Sequence, residues 1–158
     1  MIKYKSLIID PKNAPIIADI VCQTYQAFNA KEGKKEALNQ FLFQYDNQNH
    51  SADELAERFK KSDINFGAFS EDKMVGIIRG KKNRIINLFV DGDFHHLGIG
   101  KKLIILFETQ AKKEGSEFIK IRSSLYAAEF YAKCDYKKTT GIRSFHGLKI
   151  QPLKKDLK

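Results

Sequence analysis

Between Arg84 and Gly115 the chain reads Arg84-Ile-Ile-Asn-Leu-Phe-Val-Asp91, then a loop holding Gly92, Gly98 and Gly100, then a run from Lys101 to Glu114. Ile85 to Val90 are almost all apolar and β-favouring, which predicts a buried strand. Leu103, Leu106, Phe107 and Ala111 recur at helical spacing, and Gly115 is placed to end a helix. A strand, a glycine loop and a helix in that order leave few folds open. Gly98 and Gly100 carry no side chains where the helix begins, so its first N–H groups and the positive end of its dipole can face an anion. The unit is a candidate phosphate cradle; a tight strand-to-helix connection would read the same way.

Spacing narrows the ligand. A dinucleotide fingerprint needs a third glycine three residues after the second, where Leu103 stands, and an acidic residue after the next strand, where Ser123 and Ser124 stand. A Walker loop needs glycine at the place of His95 and Ser or Thr at that of Lys102. NAD and ATP held in those modes are both excluded.

The chain has 158 residues, enough for one domain with a proper core and no covalent staples. Lys and Arg number 28 against 19 Asp and Glu, a formal charge of +9 that favours anionic partners at encounter. Most basic residues fall in pairs at expected turns or helix ends, such as Lys34-Lys35, Lys60-Lys61, Lys81-Lys82 and Lys112-Lys113, which reads as solvated surface. Cys22 and Cys134 have neither metal-ligand spacing nor the density of a disulfide framework, so buried thiols in a reducing compartment are expected and no metal site is. With no apolar signal core and no run of membrane-spanning length, a soluble cytoplasmic protein without membrane contact is the expectation.

Along the chain, Tyr4 to Ile9 predicts a strand ended by Asp10-Pro11. Asn13 can cap a first helix marked by Ile17, Ile20, Val21, Thr24 and Phe28, and a second helix is expected over Lys34 to Tyr45. Ser51-Ala-Asp-Glu54 is a capping box opening a third through Phe59. Ile64 to Phe69, Met74 to Arg79 and Arg84 to Asp91 are strands joined by short polar turns, hence antiparallel. Phe118 to Ser123 is a strand parallel to the Arg84 strand, because a helix of about sixteen residues connects them by a right-handed crossover. A short helix over Ser124 to Lys133 follows, then strands over Tyr136 to Thr140 and Ser144 to Ile150, joined around Gly141-Ile-Arg143.

Two stretches resemble the GNAT superfamily of N-acetyltransferases. Leu88-Phe89-Val90 followed by His95-His96-Leu97-Gly98-Ile99-Gly100 resembles its acyl-CoA motif, Gln/Arg-x-x-Gly-x-Gly/Ala, with His95 in place of Gln or Arg. A histidine there would make the local charge pH-dependent. Ser124-Leu-Tyr-Ala127-Ala-Glu-Phe130-Tyr131-Ala-Lys133-Cys-Asp-Tyr136 resembles the second motif, Asn/Ser-x-x-Ala-x-x-Phe-Tyr-x-Lys-x-Gly-Phe, with Asp135 for Gly and Tyr136 for Phe. Aspartate tolerates the left-handed conformation better than most residues, so the turn survives with some strain. The element order is similar to the family's over essentially the whole chain. The resemblance implies an α+β fold with a mixed, mostly antiparallel central sheet of about seven strands flanked by helices, in a single domain.

It also implies acetyl-CoA as cofactor and acetyl transfer to a primary amine of a small molecule or peptide within a ternary complex. The amides of Leu97 to Lys101 would hold the pyrophosphate, with His95, His96, Lys101 and Lys102 beside it. Backbone groups of Leu88, Phe89 and Val90 would pair with the pantetheine arm and the thioester carbonyl, and Ser124, Ala127, Phe130 and Tyr131 would complete the cofactor site. Tyr131 is the implied general acid for the leaving sulfur; a packed aromatic beside Phe130 is the other reading.

The base is less determined. Strict alternation puts Ile85, Asn87, Phe89 and Asp91 on one strand face and Ile86, Leu88 and Val90 on the other. Asn87 interrupts an apolar strand, either positioning an amine or water or serving as a buried structural amide. His146, expected on a strand face with Leu148 and Ile150, reads as a core histidine or as a base. Tyr25, Phe28 and Asn29 are candidates for the acceptor pocket or for helix packing.

Other classes stay open at this point: a fold that senses acyl-CoA without turnover, and an RNA- or tRNA-directed protein, which the charge allows. No aromatic-basic stripe on a strand supports RNA binding. Monomer and homodimer are both compatible with the sequence.

Overall fold

The computed structural model describes residues 1–157. Its elements in chain order are β1 (Ile2–Ser6), α1 (Ala14–Asn29), α2 (Lys35–Gln44), α3 (Ala52–Phe59), β2 (Ile64–Ser70), β3 (Lys73–Lys81), β4 (Arg84–Val90), α4 (Ile99–Lys113), β5 (Phe118–Ser124), α5 (Ala128–Lys133), β6 (Lys137–Lys138), β7 (Arg143–Phe145) and β8 (Leu148–Asp156). The strands form one eight-stranded sheet in the order β1-β2-β3-β4-β5-β8-β6, with β7 also paired to β8. Only β4 and β5 run parallel. The fold is α+β with a mostly antiparallel sheet, as expected, and has one strand more than the count of seven.

Both faces of the sheet are covered. On one, Ile99, Leu103, Ile104, Phe107 and Ala111 of α4 pack against Ile64, Ala68, Val75, Ile78, Ile85, Ile119 and Ile121. On the other, Ile17, Ala18 and Val21 of α1 and Leu55 and Phe59 of α3 pack against Met74 and Ile77. This explains why β3 is buried without interruption from Met74 to Gly80. The Ser51–Glu54 capping box forms as read: Ser51 Oγ accepts from the Glu54 amide at 3.1 Å, and Glu54 Oε1 from the Ser51 amide at 3.0 Å.

Three departures from the sequence expectation matter for the site. First, Arg79 pairs with Asn87 but Gly80 with Ile85, so Ile86 is an extra residue in β4, a bulge. The bulge breaks the strict alternation. Ile85 joins Leu88 and Val90 on the α4 face, while Phe89 faces α1 and α3. Gly80 is required there, because a Cβ would lie 2.1 Å from the Arg84 carbonyl oxygen.

Second, the last reversal is not at Gly141–Arg143. It is a two-residue turn at His146–Gly147, with φ of 52° and 82°, the positive values that a type I′ hairpin needs. β8 then runs to Asp156 along β5. Third, the helix expected from Ser124 starts only at Ala128, because Ser124 to Ala127 form a turn in which Ser124 Oγ accepts from the Ala127 amide at 3.2 Å.

β4 and β5 pair only at Arg84–Lys120 and Ile85–Ile121. Beyond these residues they diverge. No helix among the described residues is long and apolar enough to cross a membrane.

Candidate active site

The wedge between β4 and β5 opens toward the N-terminus of α4. Gly98 is the N-cap of that helix, left-handed at φ 80°, and has no side chain to cap it. The Lys102 amide donates to the Gly98 carbonyl at 3.0 Å, which leaves the amides of Ile99, Gly100 and Lys101 without intrahelical acceptors. The two glycines serve different ends. A Cβ on Gly98 would meet nothing within 4 Å, whereas one on Gly100 would lie 3.0 Å from Phe130 Cζ. Gly98 thus keeps open space before the free amides, and Gly100 lets α5 pack against α4. Leu97, Lys101 and Lys102 are exposed around this mouth, and so is His96, at φ 63°.

His95 departs from its expected place as a phosphate donor. Its Nε2–H donates to the Val90 carbonyl at 2.7 Å, which fixes the proton on that nitrogen. Its ring lies 4.7 Å from that of Phe28, which stacks at 5.0 Å on Tyr126. The imidazole is packed and engaged with the backbone. It braces the end of β4.

Which backbone groups of β4 face the wedge follows from alternation. The Asp91 amide donates to the Val75 carbonyl of β3 at 2.8 Å, so residues 91 and 89 turn their N–H and C=O toward β3. Leu88 and Val90 turn theirs the other way. Phe89 therefore cannot offer its backbone to a pantetheine arm, and the Val90 carbonyl is already taken by His95. The Leu88 groups and the Val90 N–H remain.

A cavity of about 770 Å³ extends from this wedge across the face opposite α4, between β4, β5, α2 and the β7–β8 hairpin. Leu88, Phe89, Ser124, Ala127 and Tyr131 line it. Tyr131 is 3% exposed, and its ring meets those of Phe130 and Tyr136 edge-on. Burial, with the neighbouring Cys134, holds its phenol far above the ordinary tyrosine range. Asn87 also lines the cavity, with its Oδ1 accepting from Arg79 Nε at 2.7 Å.

Of the three candidate acceptor residues, only Tyr25 lines this cavity. It stacks on Phe41 at 4.0 Å, and burial together with the charge of Glu32 pushes its hydroxyl up to about 12. Phe28 instead packs on His95 and Tyr126, and Asn29 is buried with its Nδ2 donating to Glu32 Oε2 at 2.8 Å. Both belong to the join between α1 and the β5–α5 turn. His146 is likewise displaced from the core: it is exposed in the hairpin turn, on the rim of the cavity.

Two residues here escaped the sequence reading. Glu32, 8% exposed, accepts from the Leu125 amide at 2.7 Å and from the Tyr126 amide at 3.1 Å, tying the end of α1 to a turn more than ninety positions away. Arg79, 3% exposed, lies over the Phe59 ring at 4.7 Å, and its Nη1 has no hydrogen-bond partner. No short-range pattern marks either one; an isolated charge in an apolar stretch was the only hint at Arg79.

A mixed sheet opened between two parallel strands, with an uncapped helix N-terminus at its mouth and a buried phenol on its wall, suits a fold that holds a phosphate-bearing acyl donor. Residues 29–157 match the acetyltransferase (GNAT) domain, and the chain belongs to that family of acetyltransferases. A GCN5-related N-acetyltransferase from Rhodopseudomonas palustris is similar at a TM-score of 0.81 and 22% identity, covering 98% of this chain and 95% of that one. The PaiA N-acetyltransferase of Thermoplasma acidophilum, solved with coenzyme A, is similar at a TM-score of 0.74 and 16% identity over 99% of each chain. An aminoglycoside 6′-N-acetyltransferase, also solved with coenzyme A, gives 0.65 and 16% over 98% of this chain and 96% of that one. At these identities the likeness is one of fold. No protein of curated function matches the chain.

Proposed function

We propose that the protein transfers an acetyl group from acetyl-CoA to a primary amine of a small molecule or peptide, directly, with both substrates bound at once. The observation that carries this is the cavity through the β4–β5 wedge, with Leu88 and Tyr131 on its wall, together with the uncapped N-terminus of α4, the helix that follows β4. The amides of Ile99, Gly100 and Lys101 would hold the pyrophosphate, with Lys101 and Lys102 adding charge. The Leu88 backbone and the Val90 N–H would position the pantetheine arm, and a free N–H at the wedge suits an oxyanion donor.

Acetyl-CoA supplies a thioester whose carbonyl carbon forms the new C–N bond as its C–S bond breaks. Tyr131 Oη gives its proton to the departing sulfur and recovers one from solvent; burial raises its pKa, so the phenol is protonated at neutral pH. The amine nitrogen loses its proton to water in the cavity. Asn87, committed to Arg79 through its oxygen, holds the floor of the site and takes no proton.

Titration calorimetry with acetyl-CoA, against NAD and bulk tRNA as controls, tests the donor. Selective acetyl-CoA binding is the expected result. Gly98→Asp should weaken it by about a hundredfold or more, because a carboxylate would stand against the pyrophosphate. Aspartate accepts a positive φ, so the helix should persist. Unchanged affinity in that variant would sink the assignment of the loop.

A further inference from the structure

The cavity has a one-sided charge. Lys61, Lys81, Arg84, Arg122 and Lys149 line it, and no aspartate or glutamate does. Among the described residues none of the five is in an ion pair. Glu32, buried outside the lining, already has both oxygens filled by Leu125, Tyr126 and Asn29. Ion pairing within the protein therefore does not neutralise this surface.

Behind the floor is a sixth positive charge that is fixed and buried. The Arg79 guanidinium is 3% exposed, bonded through Nε to Asn87 and left with Nη1 unpaired, and no carboxylate bonds to it. An arginine stays charged at any accessible pH, so its field acts on whatever lies beyond Asn87. A buried charge without a counter-ion is costly, and an anion in the cavity would offset that cost.

Three of these cations, Lys61, Lys81 and Arg84, are not placed to serve the pyrophosphate. Lys81 and Arg84 pair at the start of β4, and Lys61 lies beside them, since the Asp63 amide donates to the Gly80 carbonyl at 3.0 Å. The free α4 amides lie beyond the far end of β4, roughly 20 Å away at strand rise. Arg122 is exposed between the α4-facing Ile121 and Ser123, and its guanidinium stacks at 4.4 Å on Phe145 of the hairpin. The charge at the start of β4 therefore lies on the acceptor side.

We infer that the acceptor is an amine bearing an anionic group, a carboxylate or a phosphate, and that polycationic amines are rejected. The inference rests on the acetyltransferase reading above and names the substrate class of that same site. It also accounts for a cavity lined by no carboxylate base. Positive charges around the bound amine disfavour its ammonium form, so the proton leaves to water without a dedicated acceptor.

The test uses the full chain at saturating acetyl-CoA, after calorimetry has established that acetyl-CoA binds. Thiol release is measured for matched pairs: phosphoethanolamine against ethanolamine, glycylglutamate against its diamide, with spermidine as the polycation. The anionic member of at least one pair should have a kcat/KM higher by about tenfold or more, an advantage that shrinks as salt is raised. Which pair shows it distinguishes phosphate from carboxylate. Arg122→Gln with Lys149→Gln should remove most of that advantage and leave the KM for acetyl-CoA unchanged. Lys61→Gln with Arg84→Gln should act in the same direction if the first pair of changes disturbs the hairpin. Equal or better turnover of the neutral amines or of spermidine overturns the inference while the acetyltransferase reading stands. A rise in the acetyl-CoA KM with the acceptor preference unchanged overturns it too. Failure to bind acetyl-CoA would remove both.

Discussion

At the scale of single residues the proposed chemistry turns on Tyr131. Its phenol is buried and its pKa is driven up first by desolvation and then by Cys134, so it stays protonated well above the ordinary tyrosine value of about 10. Tyr131→Phe should leave acetyl-CoA affinity intact and lower kcat about a hundredfold, read by single-turnover kinetics. Equal turnover would return Tyr131 to packing. The pH profile has a definite sign: kcat/KM should rise as the acceptor amine loses its proton, without an alkaline fall from Tyr131 below about pH 10. His95 carries the opposite lesson. Its place in the motif suggested a donor to phosphate, but Val90 and Phe28 occupy it, which no residue type announces.

At the scale of elements, what shapes the cavity is how neighbouring pieces are tied together. Glu32, Asn29 and the β5–α5 turn form one such tie, and the Lys149 amide donates to the Glu32 carbonyl at 2.8 Å, which adds the start of β8. Glu32→Ala would leave the Leu125 and Tyr126 amides without their acceptor. It should lower stability by about 2–4 kcal/mol, measured by denaturant unfolding, and should slow turnover as the Ser124–Ala127 wall loosens. A loss below 0.5 kcal/mol would show that water replaces the carboxylate. The β4 bulge works at the same scale: one extra residue, Ile86, returns Ile85 to the α4 face and sends Asn87 toward Arg79. Asp135, at φ 72°, makes the left-handed turn after α5 that the motif reading expected of it.

At the scale of the molecule, α4 is the helix on which the sheet and the phosphate mouth both depend. Phe107 is fully buried in its middle, against the site where Gly80 has no side chain. Phe107→Ala should cost about 3–5 kcal/mol and lower the melting temperature by roughly 10 °C, with acetyl-CoA restoring part of the loss. The net charge of +9 also takes on a location at this scale. The basic pairs read as solvated surface and are exposed; the fold adds that Lys61 and Lys81 come together with Arg84, Arg122 and Lys149 around one cavity.

The sequence by itself determined the strand–loop–helix unit, the Ser51–Glu54 cap, the order of elements and the parallel crossover. Each of these is written in local periodicity, in short-range hydrogen bonding or in the length of a connection, so neighbouring residues suffice to specify it. The tertiary structure alone decided the bulge at Ile86, the His146–Gly147 reversal, the engagement of His95, the tie through Glu32 and the carboxylate-free lining beside Arg79. Those depend on strand register and on contacts between residues far apart in the chain, where burial and the partner's position set the outcome and residue type does not.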